Sequence, residues 1–261
     1  MPAPPQTIGR TAASPPASNG GRREDAGAAA GGNRVLASLP SREAKALGPV
    51  LEPLRPEPGA VLLEPGEKVG RVVFPASGVV RLSMGFADPA GRGGFGLAGR
   101  EGLVGLRALF GGGVAACRAV VQVGGEARAA SPRSLRAFLH SAYGFRDAVL
   151  RCAAAQFADA DAAATAACNA LHPLRQRAAR WLPAVQDRAG PGFSLAQEEL
   201  AEMLGARRPT VNAVLQRFKA EGIVRSERGW IAVSDAAGLE SAACGCRRRV
   251  SDARQDLLLR F

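Results

Sequence analysis

Histidine is nearly absent from this chain: two occur in 261 residues, His140 and His172. No paired carboxylates, nucleophile–base set or metal-ligand pair stands out beside them, so no catalytic residue is named and an enzyme is not expected. Long apolar runs are missing too. None approaches the roughly 20 residues that a membrane-spanning helix needs. The first residues, MPAPPQTIGRTAASPPASNGG, lack the apolar core of a signal peptide. Cysteines are few and odd in number: Cys117, Cys152, Cys168, Cys244 and Cys246. That fits a reducing compartment better than a disulfide framework. The expectation is a soluble, cytoplasmic protein with no membrane partner and no cofactor.

What the chain does have is positive charge. Formal net charge is +11 and the sequence pI is about 10.8. Such a balance favours polyanions, nucleic acid or an acidic membrane, although an Arg-rich composition alone produces the same number. Hydrophobic residues make up 47%, enough for two modest domains or one large one. Residues 1–33 stand apart. They are rich in Pro, Ala, Ser and Gly and nearly devoid of large apolar side chains, so they read as a disordered tail.

Residues 34–137 have β character. AVLLEPGEKVGRVVFPASGVVRLSMGF holds short runs of Val, Leu and Phe broken by Pro-Gly and Pro-Ala-Ser-Gly turn chemistry. More strands are expected at GGFGLAG and CRAVVQVGGEARAAS. Many short strands without long helices between them argue for a barrel or jelly roll. A short helix is expected before them, near Ser41 to Leu54, with Ser41 as N-cap.

The pattern then turns helical. RDAVLRCAAAQFADADAAATAACNAL has no Gly or Pro and is dominated by Ala, the best helix former. Val149, Cys152, Gln156 and Phe157, then Ala163, Ala167, Ala170, Leu171 and Leu174, recur at helical spacing. Residues 138–171 therefore read as one long helix with a small-residue seam, packed on a copy of itself or on its own domain. LHPLRQRAARWL reads as a break and restart, with Pro173 suited to a first helical turn. Pro183 is expected to kink the element that follows.

Residues 172–240 carry the strongest signal. In FSLAQEELAEMLGARRPTVNAVLQRFKAEGIVRSERGWIAVSD, Ser194 with Gln197 matches a capping box. Gly205 closes the first helix, where a left-handed residue is needed. A second helix starts near Arg208, with Pro209 in its first turn and Val211, Val214, Leu215 and Phe218 on its buried face. GIVRSE and GWIAVSD, turning at Arg228-Gly229, make a hairpin wing. Glu198, Glu199 and Glu202 lie on the first helix; Arg207, Arg208, Arg217 and Lys219 lie on the second. A solvated helical hairpin explains the apolar spacing but not this segregation of sign together with the turn glycine and the wing.

At this point the chain resembles the Crp/Fnr family of transcription regulators, over about Val35 to Arg247. The matching stretches are LLEPGE, VVFPASGVV, REGLVGL, RAVVQVGGEA, TAACNALHPLRQRAARWL, QEELAEMLGARRPTV and AGLESAAC. The resemblance implies an α+β chain: an N-terminal β-roll of the jelly-roll, cyclic-nucleotide-binding-like type, a long dimerisation helix, and a C-terminal winged helix-turn-helix. It implies double-stranded DNA and a second copy of the chain as partners, with RNA polymerase a further candidate. The implied DNA-binding residues are Ser194, Arg207, Arg208, Thr210, Asn212, Arg217 and Arg228. Pro209 and Ala213 stand where cyclic AMP-binding relatives carry base-reading Glu and Arg, so the target site is expected to differ. The alternative is a β-roll ligand-binding module that regulates a protein partner, with a vestigial DNA domain.

The effector is not legible. Relatives that bind cyclic AMP carry Gly-Glu for the ribose and Arg-Ser for the cyclic phosphate. Here Gly105 is followed by Leu106, and Ala116-Cys117 replace Arg-Ser, so cyclic AMP binding is not expected. A slip of the loop by a residue or two would bring Arg118 into play. Iron–sulfur relatives use a cysteine cluster near the N-terminus, and the first cysteine here is Cys117. Cys244-Gly245-Cys246 suits metal or oxidant chemistry in type, but further ligands are not evident and no metal site is assigned. His140 and His172 read as helix-end or surface residues, with His172 at the hinge between domains. GRGGFG, Gly91 to Gly96, matches a dinucleotide fingerprint without its context and reads as a flexible strand connection. The tail 241–261 is basic. It either adds phosphate affinity or is disordered.

Overall fold

The computed structural model describes residues 32–85, 92–157, 160–227 and 229–248. Most of both expected tails, and Arg228, lie outside them. Gly32 and Asn33, inside the expected tail, are among the described residues. Asn33 is buried. Its Oδ1 accepts from the Leu36 N–H, and its amide donates to the carbonyls of Pro75 (2.8 Å) and Gly102 (2.9 Å). It thus caps helix α1 (Arg34–Ala37) and ties it to the sheet.

Helix α2 (Ser41–Leu47) is capped at Pro40, so Ser41 is its first helical residue and makes no cap bond. The helix stops well short of Leu54. Pro53 disfavours a helical residue before it, and after a 3-10 turn over Gly48–Val50 the chain straightens into strand β1 (Glu52–Leu54).

Six more strands follow: β2 (Val61–Leu63), β3 (Val72–Pro75), β4 (Val79–Gly85), β5 (Arg92–Ala98), β6 (Arg118–Val123) and β7 (Ala127–Ala130). They form two antiparallel sheets, β1-β7-β3 and β2-β6-β4-β5. Val73, Val80, Ala98, Ala119, Val121 and Ala129 fill the space between the sheets. This is the β-roll. The PASG turn works because Gly78 takes φ 78° and a Cβ there would collide with the Val123 carbonyl oxygen. Gly93 to Gly96 of the GRGGFG stretch lie inside β5, so the glycines belong to a strand and not to a flexible connection.

The helical region is divided. Ser131 caps helix α3 (Pro132–Ser141), and Ala142 is extended (φ −117°, ψ 104°). Residues 138–141 therefore belong to α3, not to the long helix expected from residue 138. Helices α4 (Tyr143–Phe157) and α5 (Ala160–Leu171) follow. Val149 and Cys152, two of the nine residues of the expected seam, are buried against α1, α2 and Leu135 of α3 within their own domain. Leu150, Ala154, Ala166, Ala167, Ala170 and Leu171 remain exposed.

Helix α6 (Leu174–Ala189) starts after Pro173 and runs unbroken through buried Pro183. Strand β8 (Gly192–Ser194), helices α7 (Gln197–Leu204) and α8 (Arg208–Ala220), strands β9 (Val224–Glu227) and β10 (Trp230–Val233), and helix α9 (Ala236–Ala242) complete the order. Their core holds Trp181, Leu182, Phe193, Leu200, Met203, Leu204, Val211, Leu215 and Phe218.

This second core continues into the β-roll. Val79 and Leu97 belong to it. Arg81 of β4 pairs with Glu202 of α7, and Gln122 donates to the Met203 sulfur at 3.2 Å. Arg188 of α6 pairs with Glu101 at 2.8 Å, the two side chains 8% and 16% exposed. Removing one partner of so buried a pair costs about 3–5 kcal/mol, because the other charge is left unpaired. Gly94 lets the surfaces meet: a Cβ there would stand 2.9 Å from the Met203 Cα. Gly94→Ala is therefore expected to destabilise the protein by about 1–3 kcal/mol through overpacking. Denaturant unfolding checks this, and unchanged stability would mean the contact is not formed in solution.

Candidate nucleic-acid interface

Helix α7 begins at Gln197, three residues after Ser194, the last residue of strand β8. Ser194 is thus not its N-cap. Its backbone is placed opposite Trp230 in the sheet, and the cap position falls on Ala196. Glu199 reaches back instead and accepts from the Ala196 N–H at 3.1 Å. Gln197 has a different role: its amide donates to Asn212 Oδ1 at 3.1 Å, which links the two helices.

Gly205 ends α7 in the left-handed region (φ 56°, ψ 45°), and its N–H closes the last turn. Arg207 takes the N-cap position of α8, with Pro209 in the first turn. Val211, Leu215 and Phe218 are buried against α7 and α6, with Val214 partly so. That commitment leaves the opposite face outward. Arg207, Arg208, Pro209, Thr210, Ala213, Gln216, Arg217 and Lys219 are all exposed. No acid sits in the first turn, so the partial positive charge of the helix start adds to two arginines.

The three acids of α7 do three separate things. Glu199 caps its own helix, Glu202 holds the β-roll, and Glu198 lies 3.6 Å from Arg208, both side chains mostly exposed. Arg217 is held at 3.0 Å by Glu221, which also accepts from Arg175. Arg175 in turn lies over the Phe218 ring at 5.2 Å. The wing has three strands, in the order β8-β10-β9; the hairpin was evident in sequence but β8 was not. Gly229 makes its turn at φ 81°. Arg208, Thr210, Asn212 and Arg217 thus share one helix, with Arg207 at its N-cap, while Ser194 sits on β8, a strand of the wing.

The β-roll holds a cavity of about 380 Å³. Its lining includes Leu82, Phe95, Leu97, Leu103, Leu106 and Cys117, with Ala116 and Gly105 beside them. The positions flagged in sequence for a cyclic nucleotide do converge here, with apolar side chains. Arg118 does not join them: it leads into β6 and pairs with Glu64 at 2.9 Å. The cationic residue in the lining is Arg107. Burial raises the Cys117 thiol pKa, partly offset by Arg107.

One expectation about cysteine is overturned. Cys244 and Cys246 do have further ligand-type neighbours, Cys168 and His172. The spacing Cys168-x-x-x-His172 was legible as one helix face. Its meeting with residues far along the chain was not.

Residues 176–242 match the family model of the Crp-like helix-turn-helix domain. Among solved structures, the chain is similar to FixK2 from Bradyrhizobium japonicum (TM-score 0.64, 16% identity, 75% of this chain and 98% of that one). It is also similar to TTHB099, a CRP-family transcriptional regulator from Thermus thermophilus (0.61, 21%, 73% and 96%). A third is the c-di-GMP-responsive global regulator CLP of Xanthomonas campestris (0.60, 17%, 75% and 100%). No curated protein matches. Among the described residues, no helix is long and apolar enough to cross a membrane.

The hydrogen bonds from Arg175 and Arg217 lower the pKa of Glu221. A depressed carboxylate pKa stabilises the fold above the unfolded value, and that contribution is lost as pH falls through the folded one. The stability difference between wild type and Glu221→Gln is therefore expected to vanish at acid pH. Denaturant unfolding as a function of pH checks this, and a pH-independent difference would contradict it.

Proposed function

We propose that this chain is a Crp/Fnr-family transcriptional regulator, that it binds palindromic double-stranded DNA as a homodimer and that its β-roll does not take cyclic AMP. The observation that carries the reading is the exposed row Arg207, Arg208, Pro209, Thr210 at the start of α8, on the face that the core leaves free. Helix α8 enters the major groove. Arg208, loosely held by Glu198, exchanges that carboxylate for a guanine edge or a phosphate. Thr210 and Asn212 donate to base or backbone, Arg217 and Arg228 to phosphate, and Ser194 flanks the groove. The exposed face of α4 and α5, with Leu150 and Leu171 on it, meets a second copy. The two recognition helices then reach half-sites about one helical turn apart. RNA polymerase is the partner through which a bound dimer acts on transcription, in the cytoplasm.

The sensor cavity suits a small, mainly apolar molecule. Leu106 offers nothing to a ribose, and Ala116-Cys117 offer no guanidinium to a cyclic phosphate. Strand β5 forms part of its wall through Phe95 and Leu97, while Gly94 of the same strand touches Met203. A molecule in the cavity therefore acts on the DNA-binding half through one strand. The alternative, a protein-regulating module with a vestigial DNA domain, leaves the exposed arginines without a role.

Two measurements check this reading. Arg208→Ala is expected to weaken specific DNA binding by about 1–3 kcal/mol and relax sequence preference. A change confined to the salt slope would make Arg208 a phosphate contact only. Calorimetry with cyclic AMP is expected to show no heat of binding, and sub-millimolar affinity would overturn the sensor assignment.

A further inference from the structure

Helix α5 carries Cys168, and His172, four residues on and just past its last residue, continues the same face. The His172 N–H bonds to the Cys168 carbonyl at 3.0 Å, so the last turn is intact up to the histidine. Across from this face, α9 ends at Ala242 and the chain passes through Cys244 into the helical turn at residues 246–248. The Cys168 and Cys244 sulfurs lie 3.4 Å apart, and Cys246 Sγ lies 3.7 Å from His172 Nδ1. All four ligand atoms lie within 4.8 Å of one another. Cys168 and Cys244 are buried; His172 and Cys246 are half-buried, which leaves an entry path from solvent.

We infer that Cys168, His172, Cys244 and Cys246 form a tetrahedral site for one thiophilic divalent cation, with zinc the ion of choice. A Zn–S distance near 2.3 Å sets neighbouring ligands about 3.8 Å apart in a tetrahedron. The two contacts observed are within a few tenths of an ångström of that spacing. A binuclear iron–sulfur cluster holds opposed ligands farther apart than these four stand. A Cys168–Cys244 disulfide would account for two of the sulfurs but not for the approach of Cys246 and His172. Three thiolates and a neutral imidazole are a donor set that zinc prefers, and four protein ligands make a closed, structural site. On binding, three S–H bonds give way to three S–metal bonds, and the protons leave to solvent. The filled site carries one net negative charge.

Its position gives the site a consequence. Cys168 and His172 end the helix just before the Pro173 break, and Cys244 and Cys246 follow the last helix of the DNA-binding half. A bound ion ties the hinge to the far end of that half and fixes its orientation. Only this consequence rests on the regulator reading; ion binding does not.

The test uses the full chain, reduced, stripped with a chelator and titrated with Co²⁺ in the absence of DNA. The expected result is one cobalt per chain, with thiolate charge-transfer absorption and intense tetrahedral d–d bands that zinc bleaches. Zinc is also expected to raise Tm and to protect Cys168, Cys244 and Cys246, but not Cys117, from alkylation read by mass spectrometry. Cys246→Ser and His172→Ala should lose the cobalt bands; Cys117→Ser should keep them. If a variant misfolds, the alkylation pattern of the wild-type chain still decides. No cobalt uptake by the reduced chain, a weak octahedral spectrum, or zinc-independent alkylation would overturn the site. With DNA absent from every arm, failure here leaves the regulator reading intact, and failure of that reading leaves this result intact.

Discussion

The contact on which the rest of the structure depends is the seating of α7 on the β4–β5 face, with Met203 against Gly94. Around it lie two ion pairs, Arg81–Glu202 and the well-buried Arg188–Glu101. Neither pair is best understood as added stability, since desolvation offsets most of what a buried pair contributes. Their effect is orientation. Two charges that must meet across a dry surface permit few relative placements of the halves. Strand β5 then lines the β-roll cavity and also packs against the first helix of the helix-turn-helix.

That arrangement accounts for how the acids of α7 are used. A row of glutamates beside a row of arginines reads as two faces of opposite sign. In the fold it is a division of labour among capping, docking and loose pairing. The arginines at the start of α8 keep their exposure because the glutamates nearest to them are engaged elsewhere or only weakly held. Buried Val211, Leu215 and Phe218 fix the helix rotation, and that rotation presents Arg207, Arg208 and Thr210 outward.

Much of this was legible in the residues. Gly205, Pro209 and the apolar spacing of α8 are local signals, and the helices and the turn formed where those signals placed them. The β-roll likewise followed from strand-and-turn chemistry. The misses are contacts between segments far apart in the chain. Ser194 looks like a cap until its backbone pairs with Trp230, which sets the helix start two residues later. Val149 and Cys152 have the spacing of a seam, but periodicity does not say whether a copy or the chain's own domain covers it. Cys244-Gly245-Cys246 has too few ligands in its own neighbourhood. The other two come from more than seventy residues upstream, which only folding reveals.

The central claim is that the face of α8 presented by this fold reads sequence. The most direct measurement incubates the purified full chain with fragmented genomic DNA at physiological salt and sequences what it retains. The account predicts enrichment of a small set of fragments that share a two-fold symmetric motif with half-sites about one helical turn apart. Retention that does not distinguish genomic fragments from random DNA would contradict it.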